Sequence, residues 1–592
     1  MSGDGTGRVG FGDVVEIPKE FQHKKVHNAP TKPLKSILKK SSYAEEPRRV
    51  KRANKKKNVS LNLREPNEDD TGKKTKKKKR DKDNSKKNRP SANWQLHDTQ
   101  FASQIQNGIE TVQNPLYNPD LVALRVQLDG MRAKAAKVGA EPAVLDLSGK
   151  ELTSLPAVIC KHNYLSVINL YMNQICSLPP EIGNLTNLIQ LGLNENSLFH
   201  IPKAIGQLEA LQILDLRYNR LQDLPPEIGN LKNLKRLFLR YNRLIALPDT
   251  LGNLTQLELL SVRNNSLYEI PESVNNLTKL RVLDVHQNQI GRLPSIGNMT
   301  ELVDLDAQYN QLSRLPKDIE NLKKLRKLRL GHNKIKEFPV EICEIRTLEE
   351  LDLEGNMLVG LSEKVKNLNN LKQLYLSRNK LTTLPENIGN LVRLRQLFLN
   401  CNRLSEIPAS FGKLRELKEV DLGTNNFTVF PNPQLFRYVT TLNIHDNMIE
   451  TLPANVNEMK SIKTLDLGEN QLRNIPESFC TINSLTNLRL NCNELNDLPE
   501  NFDCLMSLRN LQADNNLFEE LPPQVGFLQS LTALSLLDND LNDLPDELIN
   551  LHKLKQLKVD GNPLECFPPG ISGGAAVFQY IGQRVKEQEY GL

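Results

Sequence analysis

The sequence has little of what marks membrane proteins and disulfide-rich secreted domains. Its 592 residues include one Trp, eight Cys and only 5% aromatic residues. No apolar run approaches the roughly 18 residues that a membrane span needs, and no signal-peptide core follows the N-terminus. The cysteines are scattered, and two of them, Cys401 and Cys492, stand at a predicted packing position. This usage predicts reduced structural thiols and an intracellular protein.

Motifs that carry catalysis are also missing from the sequence. It has no Gly-rich phosphate loop, no Cys-X-X-Cys pair, no His-Glu-X-X-His and no nucleophile elbow. His286, His332 and His445 lie far apart along the chain and are interpreted as ordinary surface histidines. We therefore expect a protein that is not itself an enzyme and that uses no cofactor and no metal.

Charge is divided unevenly along the chain. The net charge is +7, but residues 1–100 hold 27 Lys+Arg and 13 Asp+Glu, whereas the remainder holds 50 and 57. The first hundred residues are therefore basic, about +14, and the rest is mildly acidic, about −7. Residues 1–115 are polar, Lys-rich and poor in large aliphatic side chains, so we predict a disordered tail.

What the chain does contain is a repeat of 23 residues. The stretch from Leu214 to Leu237 reads LDLRYNRLQDLPPEIGNLKNLKRL, and its Asn219 recurs at steps of 23, twice of 22. The recurring positions are Asn173, Asn196, Asn219, Asn242, Asn265, Asn288, Asn310, Asn333, Asn356, Asn379, Asn402, Asn425, Asn447, Asn470, Asn493, Asn516, Asn539 and Asn562. Lys150 holds the place one period earlier, so the chain has about nineteen units on the leucine-rich-repeat period.

Each unit predicts a short strand, a turn and a short helical or extended return. The phrase LxxLxLxxN alternates apolar and polar residues as a strand does, and its Asn can bond backbone groups where the chain leaves the strand. Because no unit can bury its leucines alone, neighbouring units must stack into one core. We predict an α/β leucine-rich-repeat solenoid, a horseshoe with a parallel sheet on its concave face, over residues 141–568.

Helices are predicted at both ends of this array, because an open end of the core would face water. Residues 118–138 form an amphipathic pattern, and we assign an N-terminal capping helix to residues 116–140. One face of that pattern holds Leu121, Leu124, Leu128 and Met131. Gly573–Ile581 predicts a closing helix within a C-terminal cap at residues 569–592.

Outward-facing strand positions supply a candidate binding surface. One column of them reads Tyr171, Asn194, Arg217, Arg240, Arg263, His286, Gln308 and Gly331. Neighbouring columns hold Asp215, Phe238, Ser261, Asp284, Asp306 and Arg329. Strand spacing places the three consecutive Arg on the order of 5 Å apart, where they repel one another unless acidic groups intervene.

Two interpretations of this arginine ladder are open. In the first, Asp215 and Asp284 satisfy the guanidinium groups internally and the ladder is a solvated face. In the second, which we favour, the Arg forks hold carboxylates of an acidic partner protein, and Tyr171 and Phe238 are flanking apolar anchors.

Two phrases of the tail resemble motifs by which disordered regulators dock protein phosphatase 1. They are Arg8-Val9-Gly10-Phe11 and Ser36-Ile37-Leu38-Lys39. The resemblance implies that Val9 and Phe11 fill two apolar pockets of the phosphatase and that the Ile-Leu pair fills another, as an extended peptide with alternate anchors can do. The alternative is that these are incidental apolar spots.

The run Lys73–Arg80 reads KKTKKKKR. It is compatible with a nuclear-import signal, with an electrostatic contact to acidic lipid or nucleic acid, or with a merely solvated tail. No aromatic residues interleave with the lysines as stacking platforms, so nucleic-acid recognition is not favoured.

The repeats themselves resemble the Shoc/Sur-type leucine-rich-repeat scaffolds of the Ras–RAF–MAP kinase pathway. The similarity runs from about residue 145 to 585 and includes LDLSGKELTSLP, LDLRYNRL, LFLRYNRL and LSVRNNSL. Its most specific part is the irregular repeat Asn425–Ile449. The resemblance implies a non-catalytic platform that binds a GTP-loaded Ras-type GTPase (M-Ras foremost) and the catalytic subunit of protein phosphatase 1. The complex would remove an inhibitory phosphate from a RAF kinase and so activate MAP kinase signalling.

The same resemblance implies where each partner binds. The GTPase switch region would face Tyr171, Asp215, Arg217, Phe238, Arg240, Arg263 and Asp284. The phosphatase would dock on Arg8, Val9, Phe11, Ser36, Ile37, Leu38 and Lys39. The protein would be cytoplasmic and would reach the membrane through the GTPase, without a membrane span. The alternatives are a nuclear phosphatase-targeting subunit directed by Lys73–Arg80, or an intracellular repeat adaptor of the cell-polarity type.

Overall fold

A computed structural model of the chain describes residues 127–133, 143–571 and 573–590. Several predicted features lie outside these residues: the tail 1–115 with Arg8–Phe11, Ser36–Lys39 and Lys73–Arg80, and residues 116–126 and 134–140 of the proposed capping helix. Among the described residues, no helix has both the length and the apolar character that crossing a membrane requires.

Nineteen short strands of the described chain form one parallel sheet. Consecutive strands pair in register, so that Leu214 lies beside Leu237 and Leu237 beside Leu260. The strands are β1 (Ala143–Asp146), β2 (Leu165–Asn169), β3 (Gln190–Gly192), β4 (Ile213–Asp215), β5 (Arg236–Phe238), β6 (Leu259–Ser261), β7 (Val282–Asp284), β8 (Asp304–Asp306), β9 (Lys327–Arg329), β10 (Glu350–Asp352), β11 (Gln373–Tyr375), β12 (Gln396–Phe398), β13 (Glu419–Asp421), β14 (Thr441–Asn443), β15 (Thr464–Asp466), β16 (Asn487–Arg489), β17 (Asn510–Gln512), β18 (Ala533–Ser535) and β19 (Gln556–Lys558). The predicted leucine-rich-repeat fold, with one strand for each unit, is confirmed.

Short 3-10 helices return the chain between most neighbouring strands. A Pro in an extended conformation precedes most of them, and the following Leu closes the turn, as where Leu231 N–H donates to Ile228 O at 3.2 Å. They span Ile159–Lys161, Pro180–Asn184, Lys203–Gln207, Pro226–Asn230, Asp249–Asn253, Glu272–Asn276, Lys317–Asn321, Val340–Glu344, Glu363–Asn367, Glu386–Asn390, Ala409–Lys413, Pro433–Phe436, Val456–Glu458, Glu477–Thr481, Phe502–Cys504, Pro523–Phe527 and Asp546–Asn550.

The return between β7 and β8, in one of the two 22-residue repeats, differs from the others. The described residues between these two strands contain no 3-10 helix. The Asp318 carboxylate of the next repeat lies there instead, and accepts hydrogen bonds from Ile296 N–H at 3.1 Å, Gly297 N–H at 2.7 Å and Ser295 Oγ at 2.5 Å. A side chain from the following repeat thus satisfies donors in the shortened return.

One continuous apolar core runs through the array. In the repeat that starts at Leu214, the buried positions are Leu214, Leu216, Leu221, Leu224, Ile228, Leu231 and Leu234. Burying one such side chain completely stabilises the fold by about 1.5–3 kcal/mol. Residues 127–133 are helical and insert Leu128 at one end of this core, and the C-terminal helix Gly574–Tyr590 inserts Val577 and Ile581 at the other.

The recurring Asn tie neighbouring repeats together through their side chains. Asn219 Nδ2 donates to Leu193 O of the preceding repeat at 2.9 Å and to Leu216 O of its own repeat at 3.1 Å. Its Oδ1 accepts from Leu198 N–H of the preceding repeat at 3.0 Å. Since equivalent bonds recur from Asn173 to Asn562, these side chains form an asparagine ladder that pairs buried backbone groups.

The residue before each ladder Asn has a left-handed backbone in most repeats. Its N–H then donates to a carbonyl of the next repeat, as Cys401 N–H does to Gly423 O at 2.9 Å. The predicted packing role of Cys401 and Cys492 is therefore wrong, because this position turns the side chain away from the core and leaves Cys492 exposed. Cys160, Cys343 and Cys480 are buried instead, and all eight thiols are free.

Candidate functional site

The strand face is the solvent-facing side of the sheet, and three columns of side chains form it. They are the first residue of a strand, the third residue, and the residue two positions later, which for β4 are Ile213, Asp215 and Arg217. The intervening Leu214 and Leu216 are fully buried. The strand alternation therefore fixes which side chains a partner can reach.

The structure brings the predicted GTPase-binding residues together on this face. Asp215, Phe238, Ser261 and Asp284 are direct neighbours in the second column of β4 to β7. Arg217, Arg240 and Arg263 follow β4, β5 and β6 in the third column, and Tyr171 follows β2 in the same column. We call Asp215, Arg217, Phe238, Arg240 and Arg263 the basic segment.

The three arginines of the basic segment differ in their surroundings. Arg217 holds the Asp215 carboxylate with two nitrogens, at 2.6 Å from Nη2 and 2.8 Å from Nε, and its guanidinium lies 5.3 Å from the centre of the Phe238 ring. Arg240 is only 7% exposed. Arg263 is half-buried and donates from Nε to Asn264 Oδ1 at 3.1 Å. Asp215 is therefore paired within the protein, by Arg217, as the first interpretation of the arginine ladder expected.

Asp284 has a different environment. It accepts a hydrogen bond from Ser261 Oγ at 2.7 Å. Burial raises the pKa of Asp284 and neighbouring Asp306 raises it further, whereas the Ser261 hydrogen bond and Arg263 lower it. Asp284 therefore marks the border between the basic segment and a more acidic part of the strand face.

Sequence reasoning named Asp306 and Arg329 but missed the cluster that surrounds them. Arg329 Nε lies 2.6 Å from Glu350 Oε1, and its Nη1 lies 3.1 Å from Asp304 Oδ1. We call Asp304, Asp306, Arg329, Glu350, Asp352 and Glu354 the acidic segment. The first strand column of β8 to β10, which reads Asp304, Lys327 and Glu350, was the signal that could have revealed it.

Burial governs the ionisation of the acidic segment. It raises the pKa of Asp352 to about 6 and also raises that of Asp304, which Arg329 partly lowers. Gln308 Nε2 reaches Asp352 Oδ2 at 2.6 Å, across the repeat that contains Gly331. A Cβ on Gly331 would lie 3.0 Å from Asp352 Oδ1 and 3.1 Å from Gln308 Nε2. The missing side chain at Gly331 therefore leaves room for this hydrogen bond, which we call the Gln308 bridge.

Farther along, the strand face becomes less charged. Tyr375 and Phe398 stack with centroids 5.0 Å apart, and burial raises the pKa of Tyr375 to about 12. The first column then holds one acid, Glu419 of β13, and continues with Thr441, Thr464, Asn487 and Asn510. Within the described residues, no group of three or more His, Cys, Asp or Glu side chains could hold a metal ion.

Comparisons with known proteins agree on the repeat. A model described as a leucine-rich repeat region matches residues 182–290 and 251–353, and a leucine-rich-repeat model matches residues 346–404 and 437–495. A solved leucine-rich-repeat protein of Leptospira interrogans is 31% identical, with a TM-score of 0.54, over 75% of this chain and 100% of that chain. No curated protein matches the sequence.

Two further solved structures are similar. The plant peptide hormone receptor RGFR1, solved in complex with RGF2, is 28% identical with a TM-score of 0.53, over 71% of this chain and 78% of that chain. YopM from Yersinia enterocolitica is 24% identical with a TM-score of 0.50, over 78% of this chain and 96% of that chain. At 24% identity, the likeness to YopM concerns the fold alone.

Proposed function

The chain belongs to the leucine-rich-repeat family, and from that premise we propose that it is a scaffold of the Shoc/Sur type. It binds a GTP-loaded Ras-type GTPase (M-Ras) and the catalytic subunit of protein phosphatase 1, and it promotes dephosphorylation of an inhibitory site on a RAF kinase. The leucine-rich-repeat fold is typically an interaction scaffold without catalytic activity. The protein acts in the cytoplasm and reaches the membrane through the GTPase.

The basic segment is the observation that carries the GTPase half of this proposal. Its arginines follow three neighbouring strands, and two of the side chains are held in place, since Arg217 Nη2 donates to Asp215 Oδ2 at 2.6 Å and Arg263 Nε donates to Asn264 Oδ1 at 3.1 Å. Side chains that are ordered before binding lose less conformational entropy on binding. A partner loop rich in carboxylates would therefore find a prearranged basic surface.

The phosphatase half is supported by the tail motifs around Val9 and Phe11 and around Ile37 and Leu38. A covalent tether can raise the effective concentration of a second contact to about millimolar, so several modest contacts can hold one complex. Dependence on GTP would come from switch loops that present a complete surface only when the γ-phosphate is bound. Phosphate removal itself belongs to the metal site of the phosphatase.

The test is a binding measurement with purified full-length protein, the phosphatase catalytic subunit and the GTPase loaded with a GTP analogue or GDP. Arg263→Glu is the variant of choice, because Arg263 is half-buried and its reversal does not place an acid at a fully buried position. We expect it to weaken binding of the GTP-loaded GTPase about tenfold or more. Arg489→Glu is the matched control, since Arg489 also lies on the strand face and pairs with an acid, Asp466, at 3.0 Å.

The tail is tested with Val9→Ala/Phe11→Ala, which should weaken phosphatase binding and leave GTPase binding intact. A contradictory result would be phosphatase binding that depends neither on the nucleotide bound to the GTPase nor on the Arg263→Glu substitution. It would overturn the Ras assignment and favour a phosphatase-targeting subunit.

A further inference from the structure

Two of the three side chains that follow the arginine column are aromatic, Tyr218 after Arg217 and Tyr241 after Arg240. Arg240 is 7% exposed, whereas Tyr218 is 44% exposed and Tyr241 is half-exposed. The two tyrosine rings stack with centroids 4.3 Å apart and planes only 8° apart. A partner that approaches the basic segment therefore meets this stacked pair together with the guanidinium groups.

The backbone makes tyrosine an unexpected residue at these two positions. Tyr218 and Tyr241 have φ values of 53° and 59°, in the left-handed region. Asn, Asp and Gly adopt this conformation at lower cost than a bulky residue; equivalent positions in other repeats hold Asn264, Asp446 and Gly355 but also Met172, His332 and Arg378. Stacking of the rings offsets part of the cost of the left-handed backbone, but apolar surface of the two rings remains exposed to water. Folding alone gives little reason for tyrosine here.

We propose that the Tyr218–Tyr241 pair determines specificity for the acidic partner of the basic segment. The ring faces receive an apolar side chain from an extended partner loop, and a carboxylate beside that side chain reaches the arginine column. This inference rests on the proposed function, and it adds an apolar requirement to a site that otherwise selects only for charge.

The spacing of the elements fits such a loop. Neighbouring parallel strands are about 4.8 Å apart, so the distance from the Arg217 backbone to the Arg263 backbone is about 10 Å. Three to four residues of extended chain cover that distance, with successive side chains on opposite faces. Tyr171 and Met172, which are 40% and 56% exposed, form a second apolar spot after β2, and Asn194 and Glu195 of the intervening repeat separate it from Tyr218.

The test is the double variant Tyr218→Asn/Tyr241→Asn, measured by calorimetric titration with the GTP-loaded GTPase. We expect at least about tenfold weaker binding, because truncating a central aromatic contact has an effect of this size. The melting temperature should stay unchanged or rise, because Asn adopts the left-handed backbone more readily than Tyr. Loss of binding could then not be attributed to unfolding.

Tyr309→Asn is the matched control. Tyr309 occupies the same position of a later repeat, with φ of 52° and 48% exposure, and it stacks on His332 with centroids 4.2 Å apart. It lies beside Gly331 rather than beside an arginine, and its variant should bind the GTPase like the wild type.

Three results would overturn the inference. Equal binding by wild type and double variant, with Arg263→Glu still defective, would refute the tyrosine platform and leave the proposed function in place. Equal weakening by Tyr309→Asn would show that the effect is not specific to the basic segment. Failure of the wild type to bind the GTP-loaded GTPase would overturn the proposed function and this inference together.

Discussion

The basic and acidic segments share one backbone plan and differ in how their charges are connected. In the basic segment, Arg217 pairs with Asp215 of its own repeat, at 2.6 Å. In the acidic segment, Arg329 of β9 reaches Asp304 of β8 at 3.1 Å and Glu350 of β10 at 2.6 Å. The pair of Arg217 and Asp215 lies within one repeat, whereas the ion pairs of Arg329 join three repeats. The same sheet can therefore carry a surface suited to a partner and a network that stabilises the array.

The acidic segment is also characterised by the ionisation of its carboxylates. Burial raises the pKa of Asp304 and Asp352 in the acidic segment, so their charged forms are costly in the folded protein. Arg329 and the Gln308 bridge offset part of this cost. The stability of the acidic segment therefore depends on pH and on the cations that pair with its carboxylates, above all Arg329.

The asparagine ladder is the feature that the two segments share, and breaking it should have the largest effect. Asn242 follows Arg240 of the basic segment and Asn333 follows Arg329 of the acidic segment, and each donates to two Leu or Ala carbonyls at 2.9 Å. Replacing either one by Ala leaves several buried backbone groups without partners, each at a cost of about 1–3 kcal/mol. We expect each variant to lose about 3–5 kcal/mol in the free energy of unfolding, measured with urea.

Asn253→Ala is the control for the ladder variants, because Asn253 is exposed at the end of a 3-10 helix. It should change the free energy of unfolding by less than about 0.5 kcal/mol. A markedly larger loss for Asn333→Ala than for Asn242→Ala would show that the ladder and the strand face are not independent.

The ladder also shows how much of the fold was readable from the sequence. The 23-residue step of Asn219 and its equivalents predicted the parallel strands, and the Asn chemistry predicted its backbone bonds. The left-handed residue before each Asn was not predicted, because a position with Tyr218, Cys401 and Asp446 has no common side chain. Its conformation comes from a backbone bond to the next repeat, which is a property of the stack and not of one unit.

Removing the central cation should have the next largest effect. Arg329→Met leaves Asp304, Glu350 and nearby Asp306 without their shared counter-charge, in a half-buried site. We expect a loss of about 3 kcal/mol in the free energy of unfolding at pH 7. Arg217→Met removes a pair within one repeat and should cost about 1 kcal/mol or less. Equal losses, measured by urea unfolding, would contradict the contrast between the two segments.

The candidate site was less readable from the sequence than the fold was. The column of Arg217, Arg240 and Arg263 was found from the period alone. Their unequal exposure was not, because it depends on which neighbours cover each side chain. The acidic segment was missed because its carboxylates come from two strands, β8 and β10, that are separated by β9, and Asp304 and Glu350 become a cluster only once the register is known.

Titration of Asp352 should have a smaller effect with a definite sign. Its pKa is raised to about 6 in the folded protein, whereas an ordinary Asp has a pKa of about 3.9. Between roughly pH 4 and pH 6 the folded state holds more protons than the unfolded state, so the free energy of unfolding falls as pH rises through this window. We expect Asp352→Asn to remove about 2 kcal/mol of the difference in stability between pH 4 and pH 7.

Urea unfolding at several pH values checks this prediction. Asn at position 352 can still accept the hydrogen bond that Glu354 N–H donates at 2.8 Å, and the Gln308 amide can turn to accept from it. An unchanged pH profile for Asp352→Asn would show that other carboxylates carry the pH dependence of the acidic segment.

The smallest predicted effect concerns the glycine that separates Gln308 from Asp352. In Gly331→Ala the new Cβ would lie 3.0 Å from Asp352 Oδ1 and 3.1 Å from Gln308 Nε2, so the 2.6 Å bridge must lengthen or shift. We expect a loss of about 1 kcal/mol, the worth of one hydrogen bond. Gly360→Ala is the control, because a Cβ there has open space and Ala lowers the entropy of the unfolded chain. If both variants were equally stable, the bridge would contribute nothing to the free energy of unfolding, and the ion pairs of Arg329 and Lys327 would remain as links between the repeats of the acidic segment.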